Sequence, residues 1–127
     1  MFYEYSLRDH NSIYKTLNSD VKLMDQYTVK LTTLDNVLSH KEIYDVLKID
    51  VEGHESNVLK GAQKILPNVK FIEIECHKNN SFEDKERNSL EKIISLIPDS
   101  FSLSFKETTN KGKKSEFTDF IFKNLNL

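Results

Sequence analysis

Asp45-Val46-Leu47-Lys48-Ile49-Asp50-Val51-Glu52-Gly53-His54-Glu55 is the stretch on which the fold of this chain turns. Its first seven residues form an apolar run interrupted by Lys48 and bounded by an acidic turn, the pattern of a strand buried on both faces. Beyond the turn, Val58, Leu59, Ala62, Ile65 and Leu66 fall at i, i+1, i+4, i+7 and i+8, which is one face of a helix. Glu52 and Glu55 lie near its start, where negative charge favours the positive end of the helix dipole, and Pro67 stops it. Val69 to Cys76 follows as a second strand.

Working outward, the scarce glycines and prolines (Gly53, Gly61, Gly112, Pro67 and Pro98) punctuate the chain. Ser81 with Asp84 resembles a capping arrangement, and Leu90, Ile93, Ile94 and Ile97 supply the apolar face of another helix ended by Pro98. Phe101, Leu103 and Phe105 alternate with polar residues, and Phe120 with Phe122 repeats the alternation, so Thr108 to Ser115 is expected to be a hairpin loop. Upstream, Phe2–Ser6 and Tyr27–Thr33 read as strands, and Thr33–Leu38 as a short helix. Arg8 to Lys22 is polar and irregular and gives no reading. The centre is thus an open α/β sheet: βαβ units with parallel, right-handed crossovers, ending in an antiparallel hairpin.

The 127 residues allow one domain. At 38% hydrophobic and 30% charged the composition suits a globular chain, and a net charge of −2 with mixed signs offers no footprint for nucleic acid and no polybasic membrane anchor. The cationic run Lys111-Gly112-Lys113-Lys114 reads as a solvated loop. Cys76 is alone, which excludes an internal disulfide and paired-cysteine zinc motifs, and its apolar neighbours predict a buried, unreactive thiol. The N-terminus lacks a signal-peptide pattern and no apolar run approaches the ~20 residues that span a bilayer, so a cytoplasmic location is expected.

Ligands of open α/β sheets collect at the carboxyl ends of the strands. Two such ends carry polar residues here: Asp50, Glu52, His54 and Glu55 around Gly53, and Glu73, Glu75 and His77 on the next strand. Strand alternation sets Glu73 and Glu75 on one face. An aspartate closing a buried strand is costly unless it is paired or bound to a ligand, which points to function for Asp50. Glu55 suits a helix-start stabiliser, and a lone loop histidine such as His77 is more often bland than catalytic.

Leu47 to Glu55, followed by Val58-Leu59-Lys60-Gly61-Ala62, resembles the signature of the FkbM methyltransferases. Thr33-Leu34-Asp35-Asn36-Val37-Leu38 is similar to a TLDDFL-like segment at the matching distance. Ile72-Glu73-Ile74-Glu75-Cys76-His77 and Thr118-Asp119-Phe120-Ile121-Phe122 resemble later strands of that family. The resemblance runs from about Val29 to Lys123 and implies a partial class I, Rossmann-like methyltransferase sheet, with residues 1–127 as the C-terminal part of that fold. It implies methyl transfer from S-adenosylmethionine to a hydroxyl of a sugar, glycolipid or natural product. It further implies Asp50, His54 and Glu75 as catalytic residues, Asp50 and Glu52 near the cofactor, and Glu75 with His77 near the acceptor. No metal is expected.

The family's glycine-rich cofactor turn, resembling D-x-G-A-N-x-G, has no counterpart here: the three glycines stand far apart. The N-terminal cofactor-binding strands are therefore expected to be missing, with poor S-adenosylmethionine binding by this chain alone. An exposed apolar strand edge would follow, inviting a partner chain or self-association unless Tyr27–Thr33 covers it. The alternatives are a non-catalytic accessory subunit pairing with a related chain, and a divalent-metal or sugar site at Asp50, Glu75 and His77, for which no spacing selects a metal.

Overall fold

The computed structural model describes residues 1–6, 11–13, 15–16, 19–77, 90–110 and 116–127. The chain order is β1 (Phe2–Tyr5), β2 (Leu23–Tyr27), α1 (Leu34–Val37), β3 (Tyr44–Ile49), α2 (Glu55–Lys60), β4 (Val69–His77), α3 (Leu90–Ile94), β5 (Phe101–Asn110) and β6 (Glu116–Asn124). The Ser81/Asp84 cap and the cationic run at 111–114 lie outside the described residues.

Two sheets form. β3-β4-β6-β5 is a four-stranded mixed sheet, and β1-β2 is a separate antiparallel ribbon. β3 pairs in parallel with β4 through the α2 crossover, and β4, β6 and β5 pair antiparallel in turn. The expected α/β arrangement with a terminal hairpin is present. The hairpin strands are longer than the alternation suggested, since β5 continues to Asn110.

One face of the sheet carries the core. Ile49, Ile72, Ile74, Cys76, Phe120 and Phe122 are buried there with Leu59, Ala62, Ile65 and Leu66 from the α2 region and Ile93 from α3. At roughly 25 cal/mol per Å² of apolar area removed from water, this layer is the main source of stability. α2 ends at Lys60, and the chain continues as turns into a short 3₁₀ segment, Leu66–Asn68, that holds Pro67. The helical spacing thus predicted the right face and overstated the regular helix. Asn124, almost wholly buried, closes the layer by donating from Nδ2 to the carbonyls of Pro67 (3.2 Å) and Val69 (3.0 Å).

Two expectations fail. β3 is not buried on both faces: Val46 is 56% exposed and Lys48 is exposed, because no helix lies over that side among the described residues. Tyr27–Thr33 is not a strand. The pairing runs instead over Leu23–Tyr27, fixed by the register Phe2↔Tyr27 and by a ring contact of 5.4 Å between those two residues. Residues 28–33 leave the outer edge of β3 uncovered, and β4 is the strand that pairs with β3 among the described residues. A β-bulge between Leu103 and Phe105 breaks the predicted alternation there, and of the three apolar residues on β5 Phe101 is buried while Leu103 and Phe105 are about half exposed.

Candidate functional site

The motif segments assemble around α2. The Asp35 carboxylate accepts from the backbone N–H groups of Lys64 (3.0 Å) and Ile65 (3.1 Å), and the Asp35 N–H donates to the Gly61 carbonyl (2.9 Å). Gly61 lies so close to α1 that an added Cβ would meet Thr33 Cβ at 3.0 Å. Thr33-Leu34-Asp35 and Lys60-Gly61-Ala62 are therefore two halves of one packing contact, with Asp35 serving structure.

The polar residues converge at the C-terminal ends of β3 and β4. One carboxylate oxygen from each of Asp50, Glu52 and Glu75 lies within 4.8 Å of the others. Asp50 is exposed, and Glu52 and Glu75 are half-buried. Asp50 is thus not a buried strand terminus, and the burial cost that singled it out does not apply, since the chain opens to solvent just after Ile49. Two unit charges ~4 Å apart repel by roughly 1 kcal/mol in water and about 4 kcal/mol near a protein surface. A hydrogen-bond donor or a cation among the three carboxylates relieves that repulsion, and oxygen ligands at such spacing suit a hard cation.

Backbone geometry creates the convergence. Glu52 adopts φ +50° and Gly53 φ +95°, a left-handed pair that reverses the chain between β3 and α2. For a residue with a Cβ this costs about 1–2 kcal/mol, so the surroundings must hold it. Glu55, only 2% exposed, accepts the Gly53 N–H at 2.9 Å, and Ser12 donates its hydroxyl to the Glu52 carbonyl at 2.6 Å. Glu55 was expected to steady the helix start, and here its carboxylate bonds the turn itself.

His54 precedes α2, and its Nδ1 lies 3.1 Å from Asn57 Nδ2. An amide NH₂ can only donate, so Nδ1 accepts and a neutral ring carries its proton on Nε2. Glu73 is drawn away from the cluster to Lys48, 3.0 Å from its Oε1, and that carboxylate raises the lysine pKa. Asp119, the register partner of Glu75 on β6, has its pKa raised, first by desolvation, with Lys48 opposing and Glu73 adding to the rise. His77 ends β4, and its side chain lies outside the described structure. Cys76 is buried, and desolvation pushes its thiol up to about 12, as the unreactive reading requires.

Of the residues singled out in the sequence, Asp50, Glu52 and Glu75 come together, with His54 on the adjoining turn. Sequence reasoning missed Ser12, which sits in a stretch without any pattern. It also missed Asn57, whose i+3 position after His54 on a helix was a readable signal.

No helix among the described residues is long and apolar enough to cross a membrane. No solved structure matches the chain. The hexuronic acid methyltransferase AglP of Haloferax volcanii is 40% identical over 52 residues, 39% of this chain and 22% of that protein. The match therefore spans less than a quarter of that relative's length. The methyltransferase FkbM domain matches residues 2–116, nearly the whole chain. This chain belongs to the FkbM methyltransferase family.

Proposed function

We propose that this chain forms the acceptor side of an S-adenosylmethionine-dependent methyltransferase that methylates a carbohydrate or natural-product hydroxyl, with the cofactor-binding strands supplied from outside residues 1–127. The observation that carries this reading is the convergence of Asp50, Glu52 and Glu75 within 4.8 Å at two adjacent parallel strand ends. Three carboxylates repel an acceptor carboxylate but accept hydrogen bonds from hydroxyls, so an alcohol oxygen fits better than an acid group. The hexuronic acid methyltransferase among the relatives supports the sugar class; its named acceptor carries both hydroxyls and a carboxyl group, so the preference for a hydroxyl rests on the carboxylates of this site.

The cofactor fits these residues only in part. Carboxylates suit a sulfonium cation and the hydroxyls of a ribose, which supports Asp50 and Glu52 beside it. A tight glycine turn against the nucleotide cannot be built from Gly53, Gly61 and Gly112, of which Gly61 already packs on Thr33. When bound, S-adenosylmethionine supplies an electrophilic methyl group. The residues of this chain orient the acceptor and receive its proton: Asp50 aligns the hydroxyl, and Glu75 takes the proton as the new methyl–oxygen bond forms. His54, with Nδ1 engaged by Asn57, serves as a donor through Nε2 rather than as the base. His77 remains a proposed acceptor contact from its position at the end of β4.

The uncovered edge of β3 and the open sheet face support a second polypeptide segment in either of two roles, completing an enzyme or binding this chain as an accessory subunit. Isothermal titration of S-adenosylmethionine separates the proposal from its rivals. The isolated chain should bind negligibly, and adding the N-terminal part of a related FkbM-family enzyme should restore binding and methyl transfer to a hexoside. Restored binding without transfer to any hydroxyl acceptor would favour the accessory role.

A further inference from the structure

We infer that Ser12 is a positioning residue for the acidic site, so that the N-terminal ribbon takes part in the site's machinery. The site is 40 residues away in sequence, yet the Ser12 hydroxyl reaches the Glu52 carbonyl at 2.6 Å, and Ser12 is only 2% exposed. Its backbone is fixed to β1 at both polar groups: its N–H donates to the Tyr3 carbonyl at 3.2 Å and its carbonyl accepts the Tyr3 N–H at 2.8 Å. The segment around it is anchored in turn, because Asn11 Oδ1 accepts the Tyr5 N–H at 2.8 Å and the Tyr5 hydroxyl accepts the Thr16 N–H at 3.1 Å.

What Ser12 grips is half of one peptide unit. The carbonyl of Glu52 and the N–H of Gly53 belong to the same planar group. Ser12 holds the carbonyl from the ribbon, and Glu55 holds the N–H from α2. With both ends held, the plane cannot flip about the Glu52 Cα–C and Gly53 N–Cα bonds, which keeps Gly53 at φ +95° and secures the turn in which Glu52 sits at φ +50°. In that turn one carboxylate oxygen of Glu52 lies within 4.8 Å of those of Asp50 and Glu75. Loss of the Ser12 hydroxyl removes the ribbon's hold on the carbonyl end of that peptide and loosens the turn that carries Glu52 into the cluster.

Hydrogen exchange on the 127-residue chain tests this without any assumption about activity, and only the catalytic consequence rests on the methyltransferase reading. In Ser12→Ala the Gly53 amide should exchange about tenfold faster or more, while the Ile72 and Ile74 amides keep their protection. Ser12→Thr, which retains a hydroxyl, should restore the slow rate. If the added methyl prevents Thr from fitting, Glu52→Gly supplies the second test. Glycine tolerates positive φ, so the effect of Ser12→Ala on Gly53 should shrink in that background. Unchanged Gly53 exchange in Ser12→Ala, with faster exchange confined to Tyr3 and Tyr5, would reduce Ser12 to a fastener of the ribbon and overturn the inference. With the cofactor-binding part supplied, kcat should fall about tenfold or more with little change in acceptor KM. A wild-type chain without any methyl transfer would sink the proposed function, while Gly53 exchange would still decide the role of Ser12.

Discussion

The two faces of the four-stranded sheet are made by the same strands and differ in almost every physical respect. On one, Ile49, Ile72, Ile74, Phe120 and Phe122 are buried beneath the α2 and α3 region. On the other, Val46, Lys48, Phe71, Glu73, Glu75, Asp119 and Ile121 are half-buried or exposed. Parallel strands usually have both faces covered, so the open side has the character of a layer's underside rather than of an ordinary surface. Stability resides on the closed face, and the residues available to a ligand or a second polypeptide lie on the open face and at the strand ends.

This contrast can be broken by substitution. The largest expected effect is on the closed face, where Ile72→Ala should cost about 2–5 kcal/mol in urea unfolding. The neighbouring open-face change Ile121→Ala should cost under about 1 kcal/mol. Comparable losses from the two would show that the open face is covered in solution. Gly61→Ala should come next, at roughly 1–3 kcal/mol, because its new Cβ meets Thr33 at 3.0 Å where α1 docks. An unchanged unfolding midpoint would mean that α1 is displaced without consequence.

Charge on the open face sharpens the contrast with smaller effects. The Asp119 pKa is raised in the fold, so its ionised form is disfavoured there, and its contribution to stability grows as pH falls through that raised pKa. Asp119→Asn should therefore stabilise slightly at neutral pH, with the advantage shrinking as pH falls through the raised pKa. A loss of stability at pH 7 would reverse the assigned sign. Lys48 has the same sign at the alkaline end: its raised pKa gives a contribution complete below 10.5 and lost as pH rises through the folded value. Its pair with Glu73 is solvent-exposed, so that contribution should fade in high salt.

Legibility in the sequence follows the same division. The βαβ centre was readable because its closed face imposes a periodicity: Val58, Leu59, Ala62, Ile65 and Leu66 had to fall on one side of a helical segment. The open face imposes none, and Asp45 to Val51, a nearly unbroken apolar run, therefore suggested burial on both sides and a buried Asp50. β2 is exposed at every residue, so its position depends on pairing with Phe2–Tyr5 and not on any local pattern. The candidate carboxylates were legible as strand-end residues. Ser12 was not, because its role lies in one hydrogen bond to a residue 40 positions away, and a serine in an irregular stretch carries no mark of such a bond.

Methyl transfer by an Asp50→Asn chain, with the cofactor-binding part of a relative supplied, tests the central claim most directly. Radiolabel from S-adenosylmethionine would be counted on a neutral hexoside, and circular dichroism would verify the fold. Asp50 is exposed and its substitution should leave the fold intact, so the account predicts that the wild-type pair transfers label and the Asp50→Asn pair loses at least about a hundredfold. Turnover equal to wild type in Asp50→Asn would contradict the account and remove the acidic cluster from the chemistry.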